Sequence, residues 1–161
     1  MKDLRDFIEE SKVLPTGGIT CREVSLEKAK EIAETLKEHD GYSFLKGAEK
    51  VDWWQGDNVR LNVIFVEFLK DGRTAGLASM SKFGKKWYLN ELGAAMSGVH
   101  LFRNGLNAFK NAYHVMNDIY MQPFDLRLRR YYLKHGASKV PDSEREGAER
   151  TTEGTRCVLK Y

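Results

Sequence analysis

Residues 60–94 constrain this chain more than any other stretch. RLNVIFVEFL (60–69) is a run of mostly apolar, β-favouring residues with both alternating faces apolar, as in a strand covered on each side. Asp71-Gly72 follows, the dipeptide of a tight hairpin turn. TAGLASMS (74–81) returns as a strand of small residues, Phe83-Gly84-Lys85 turns the chain again, and KWYLNELGA (86–94) is a third strand. Three strands joined by two short turns form an antiparallel meander. The remaining segments must cover its apolar faces.

What flanks the meander is mixed. ITCREV (19–24) reads as a strand. Ser25 is placed to cap the next helix, and Leu26, Ala29, Ile32, Ala33 and Leu36 recur at helical spacing over 26–38. After the meander, Val99, Phe102, Leu106, Phe109 and Tyr113 fall at steps of three and four, the signature of a second helix. VMNDIYM (115–121) reads as a strand ended by Pro123, LRLRRYYLK (126–134) as a short basic helix closed by Gly136, and strands follow from Ser138 and over 156–160. The fold class is therefore α/β: a mixed, mostly antiparallel sheet with helices on both faces, in the order β-α-β-β-β-α-β-α-β-β. Residues 1–18, with an amphipathic helix over 1–14, read as an extension ahead of a main domain at 19–161. Residues 40–58 are irregular, and Trp53-Trp54 there suits either a plug at the core edge or a substrate wall. Residues 141–155 are polar and loop-like.

Composition removes several classes. With 161 residues and 42% hydrophobic content the chain can bury one proper core. Lys and Arg number 26 against 23 Asp and Glu, a net charge of +3, too small to require nucleic acid as partner. No apolar run approaches a membrane span, and the charged start lacks a signal-peptide core, so a cytoplasmic protein is expected. Cys21 and Cys157 cannot frame a disulfide scaffold or a zinc site, and no metal is expected. Cys157 reads as a small apolar residue, and the four histidines lack ligand spacing.

Two stretches carry chemistry. Gly93-Ala-Ala-Met-Ser-Gly98 joins a strand to a helix start, where unpaired N–H groups and the helix dipole favour anions. On composition alone these are ordinary small turn residues, since Gly-rich turns are common. Between Leu126 and Val140 stand five cations (Arg127, Arg129, Arg130, Lys134, Lys139) and no acid, which suits a solvated face or a phosphate-bearing ligand. Of the pair Tyr131-Tyr132, one ring must face the core and the other can face a cleft.

The stretch Asp125-Leu-Arg-Leu-Arg-Arg-Tyr-Tyr-Leu-Lys-His-Gly136 resembles the C-terminal signature of the GNAT N-acetyltransferase superfamily. That signature runs from an Asn to a Tyr seven residues on, then x-K-x-G. Asp125 takes the Asn position and Tyr132 the Tyr position, while Lys134 and Gly136 match outright. The resemblance in element order spans 19–161. It implies an acyl-CoA-dependent N-acyltransferase, with acetyl-CoA or another acyl-CoA as co-substrate and a small-molecule or macromolecular primary amine as acceptor. It further implies that Leu92, Gly93 and Ala94 pair with the pantetheine arm, and that the loop and helix start at Met96, Ser97, Gly98, Val99, His100 and Leu101 hold the pyrophosphate. Asp125 and Arg129 would lie along the same ligand. Tyr132 would protonate the departing thiolate, and Glu91 or Glu67 would take the amine's proton, directly or through water.

The family's loop has the form Q/R-x-x-G-x-G/A. This chain lacks the Gln or Arg and the first glycine of the pair. That departure leaves open an alternative, a non-catalytic protein of the same fold, of the kind small phages carry, acting in a virion, in assembly or in host interaction. Nucleic acid as partner and a homodimer also stay open.

Overall fold

The computed structural model describes residues 13–40, 62–123, 126–144 and 158–161. The elements are β1 (Thr20–Val24), α1 (Leu26–Asp40), β2 (Asn62–Lys70), β3 (Arg73–Phe83), β4 (Lys86–Ala94), α2 (Leu101–Tyr113), β5 (Ile119–Met121), α3 (Leu126–Lys134), β6 (Ser138–Lys139) and β7 (Leu159–Lys160). This is the expected order. Trp53-Trp54, Cys157 and the predicted helix at the start of the chain lie outside the described residues.

The strands form one sheet of seven, in the order β1-β2-β3-β4-β5-β7-β6. All neighbours are antiparallel except β4 and β5. The meander is as the turns dictate: Lys70 pairs with Arg73 across Asp71-Gly72, and Phe83 with Lys86.

Each face of the sheet has its own core. Ala29, Ile32, Ala33 and Leu36 of α1 pack on Phe65 and Leu77. The Ser25 hydroxyl accepts from the Lys28 N–H at 3.2 Å, so the predicted cap forms. On the opposite face Phe102, Leu106 and Phe109 of α2, with Tyr132 of α3, pack on Val66, Phe68, Ala78 and Met80. Among the described residues no helix is long and apolar enough to cross a membrane.

One element is shorter than expected. The strand read over 115–121 is reduced to Ile119–Met121. His114 ends α2 in the left-handed conformation (φ 54°), and the Val115 N–H is taken up by the Lys110 carbonyl at 2.9 Å. Helix termination thus uses residues that the apolar pattern assigns to the strand.

Candidate active site

β4 and β5 pair only briefly. Their parallel ladder joins Trp87 to Ile119, Tyr88 to Tyr120 and Leu89 to Met121. β4 then continues to Ala94, paired with β3, whereas β5 stops at Met121. Two local causes end the ladder. Pro123, just beyond β5, has no N–H to donate. On β4 the register with β3 slips between Ser79↔Glu91 and Met80↔Leu89, so Asn90 is an extra residue, a β-bulge. A bulge bends its strand, and here it sits at the point where the two strands part.

The bulge residue is held in place. Asn90 Nδ2 donates to the Ser81 hydroxyl at 2.5 Å and to the Ser79 hydroxyl at 3.3 Å. Both serines are fully buried. Glu91, also buried, lies opposite Ser79 and so on the α1 face of the sheet. Asn90, Ser79 and Ser81 were not among the expected site residues. An Asn in a strand of mostly apolar residues, facing serines two apart on the neighbouring strand, was the available signal.

Beyond Ala94 the chain crosses to α2 through a loop fixed at both ends. The Ala95 N–H donates to the Ala75 carbonyl at 2.7 Å, and Asn104 Nδ2 donates to the Val99 carbonyl at 2.8 Å. Val99 and Leu101 turn their side chains into the core, while Ser97, Gly98 and His100 are exposed. Gly98 and His100 both have positive φ (75° and 50°). His100 occupies the N-cap position and makes no side-chain cap bond. The first helical hydrogen bond runs from Asn104 N–H to the His100 carbonyl at 2.9 Å, which leaves the N–H groups of Leu101, Phe102 and Arg103 without helical acceptors. No acid stands in that first turn. An uncapped helix start of this kind, with His100 and Arg103 exposed beside the buried Leu101 and Phe102, favours anions.

Gly76 is what lets the helix start lie so close to β4. A Cβ built there falls 2.3 Å from Leu101 Cδ2 and 2.6 Å from the Gly93 carbonyl oxygen. Any larger residue would force the Leu101 side chain and the Gly93 backbone at the end of β4 to shift. The small residues of 74–81 therefore have a purpose that the sequence showed only as composition.

α3 packs beside this helix start. Tyr132 is 5% exposed, and its ring stacks on Phe102 at 4.5 Å and 16°. Tyr131 is the outward ring, 43% exposed. The requirement that one ring face the core is met, and the inward ring is the one at the signature position. Arg129 is half-buried on the same helix. Asp125 lies outside the described residues.

The two candidate carboxylates differ sharply. Glu67 is 2% exposed, and its Oε1 receives Arg22 Nε at 2.7 Å and Nη2 at 2.6 Å, while Oε2 receives the Thr74 hydroxyl at 2.5 Å. Through the pairs Glu67↔Leu77 and Leu77↔Gly93 it stands two strands from β4, about 10 Å by ordinary strand spacing. Glu91 is on β4 itself, next to the bulge.

Similar architectures occur among solved structures. The chain superposes on a Desulfovibrio desulfuricans protein described as an acetyltransferase of the GNAT family, with TM-score 0.54 and 15% identity over 89% of this chain and 98% of that one. The fold here is that of the GNAT acetyltransferases. The PaiA N-acetyltransferase of Thermoplasma acidophilum, solved in complex with coenzyme A, aligns with TM-score 0.52 and 14% identity over 88% of this chain and 97% of that one. The Campylobacter jejuni N-acetyltransferase PseH aligns with TM-score 0.53 and 10% identity over 89% and 97%. No protein-family model matches the sequence, and neither does any curated protein.

Proposed function

We propose that the protein is an acyl-CoA-dependent N-acyltransferase that transfers an acyl group, acetyl in the simplest case, directly to a primary amine. The observation that carries this reading is the early end of the β4–β5 ladder at Leu89↔Met121, beside a helix start with no side-chain cap. A parted strand pair offers backbone to an extended pantetheine arm. The helix start offers N–H groups to its phosphates. The solved relative carrying coenzyme A supports the choice of donor.

In this reading Leu92, Gly93 and Ala94 face the pantetheine arm. The backbone of Met96–Leu101 holds the pyrophosphate, so the missing side-chain cation costs charge but not the hydrogen bonds. Arg129 and Asp125 lie along the same ligand. The acceptor amine, stripped of its extra proton by Glu91 directly or through water, attacks the thioester carbonyl. A C–N bond forms, the C–S bond breaks, the Tyr132 hydroxyl gives its proton to the sulfur, and the second proton lost by the nitrogen returns through water to the tyrosinate. A phenol and a thiol have ordinary pKa values near each other, which suits this exchange. Glu91 is the better base because it stands on β4 itself, whereas Glu67 stands two strands away. Most of the rate would come from holding amine and thioester together.

Thiol release from acetyl-CoA, followed over a panel of amines, tests the proposal. Tyr132→Phe should lower kcat by about 100-fold, the lower end of general-acid contributions, with the donor KM little changed. Equal rates in wild type and variant would remove Tyr132 from the chemistry. Failure of millimolar coenzyme A to raise the melting temperature would remove the donor altogether.

A further inference from the structure

Three asparagines on α2, Asn104, Asn107 and Asn111, recur at steps of three and four and so share one face of the helix. Along that face runs the segment 13–18. Asn111 pairs with Leu14 at two points: its Oδ1 accepts from the Leu14 N–H at 2.9 Å and its Nδ2 donates to the Leu14 carbonyl at 3.0 Å. Asn107, 5% exposed, donates from Nδ2 to the Pro15 carbonyl at 2.8 Å and accepts from the Tyr161 hydroxyl at 2.9 Å. At the end of the row, Gly17 lies so close to Asn104 that a Cβ built on it would sit 2.6 Å from Nδ2. That same Nδ2 donates to the Val99 carbonyl, within the loop at the start of α2.

We infer that residues 13–18 form a strap whose seat on the asparagine row sets the position of the loop 95–100, with Gly17 and Asn104 as positioning residues. The strap presses on Asn104, and Asn104 fixes the carbonyl that precedes the helix start. Gly17 is necessary on two counts. Its φ of 59° is one that L residues rarely adopt, and a side chain would drive Asn104 off Val99. The segment read from sequence as an extension ahead of the domain is thus tied to the loop assigned to the donor's phosphates. The consequence for donor affinity rests on the acyltransferase reading, whereas the coupling of strap to loop does not.

A double-mutant cycle tests it, with a control already present in the chain. Gly18 also has positive φ, 81°, but a Cβ there meets nothing within 4 Å. Gly17→Ala, Asn104→Ala, their combination and Gly18→Ala would be compared by amide exchange at residues 97–103 without ligand, and by coenzyme A affinity. Losing the hold on Val99 should speed exchange in the loop about tenfold in both Gly17→Ala and Asn104→Ala, as expected for one hydrogen bond. The double variant should be no worse than Asn104→Ala alone. Gly18→Ala should change exchange by less than about threefold, since it carries the backbone penalty without the clash. With a donor turned over, KM for the donor should rise and kcat should hold. If Gly17→Ala behaves like Gly18→Ala, or if its effect adds fully to that of Asn104→Ala, the inference is overturned. Faster exchange in a protein that never binds coenzyme A upholds the coupling and sinks the acyltransferase reading instead. Unchanged exchange together with equal affinity in every variant does the reverse.

Discussion

The two faces of the sheet are built from the same strands yet do different work. On the α2 face, β1–β4 present Cys21, Val66, Phe68, Ala78, Met80 and Leu89, a continuous apolar surface. On the α1 face the apolar patch around Phe65 and Leu77 is flanked by polar groups. Arg22 and Thr74 clamp Glu67, Asn90 bridges Ser79 and Ser81, and Glu91 lies beside them. Strand alternation alone produces this division, since neighbours such as Glu67 and Phe68 must point opposite ways. The lesson concerns where an acid and a base can come from. Tyr132 belongs to the apolar face and Glu91 to the polar one. The stretch of β4 beyond Leu89, where its pairing with β5 ends, lies between those faces. In the proposed reaction it is where proton donor and proton acceptor would reach one thioester from opposite sides.

The sharpest test of that division uses those adjacent residues. Phe68→Ala empties a fully buried site on the apolar face and should cost about 3–5 kcal/mol. Glu67→Gln keeps the shape of its neighbour but weakens the hydrogen bonds from Arg22 and Thr74, at a cost of about 1–2 kcal/mol. Urea denaturation of both variants measures the gap. Equal losses would mean that the polar face is as much a foundation as the apolar one.

Gly76→Ala comes next in size. It faces Phe68 across the β2–β3 ladder and has no room for a Cβ against Leu101 and Gly93. Overpacking of this sort costs about 1–3 kcal/mol. The more telling readout is coenzyme A affinity, which should drop because the Gly93 backbone, in the stretch assigned to the pantetheine arm, must shift. A variant that is destabilised but binds as before would separate the apolar face from the donor site.

Much of this was readable in the chain. Turn residues fix the meander, helical spacing fixes α2, and the adjacent pair Tyr131-Tyr132 on a helix requires that one ring turn inward, though not which. What escaped reading is what single residues do to register. The bulge at Asn90 shifts the strand's alternation, so that Leu89 and Leu92, three apart, face the same side, and its one signal in sequence is an Asn opposite two serines of the neighbouring strand. The left-handed His114 shortened the next strand in the same way. The asparagine row was visible as three poor helix formers in an apolar helix. Its meaning depends on a segment some 90 residues away in sequence.

The smallest effect comes from the residue beside Arg22. Cys21 faces the apolar core, where burial pushes its thiol up from 9.0 to about 11. A raised folded pKa for an acid means that the unfolded chain ionises first. The stabilisation is complete below pH 9 and is lost as pH climbs towards 11. Because Cys21 is only partly buried, solvent screening reduces the effect to about 1 kcal/mol. Tyr113, on the same face and donating to Glu23 at 3.1 Å, is pushed up to about 12 by burial and that carboxylate, so most of its titration falls beyond this window. Wild type and Cys21→Ala, unfolded in urea at intervals from pH 8 to 11, should therefore converge: whatever advantage the thiol gives at pH 8 shrinks above pH 9. A difference that stays constant across the range would show that Cys21 is solvated after all, and that the apolar face ends short of β1.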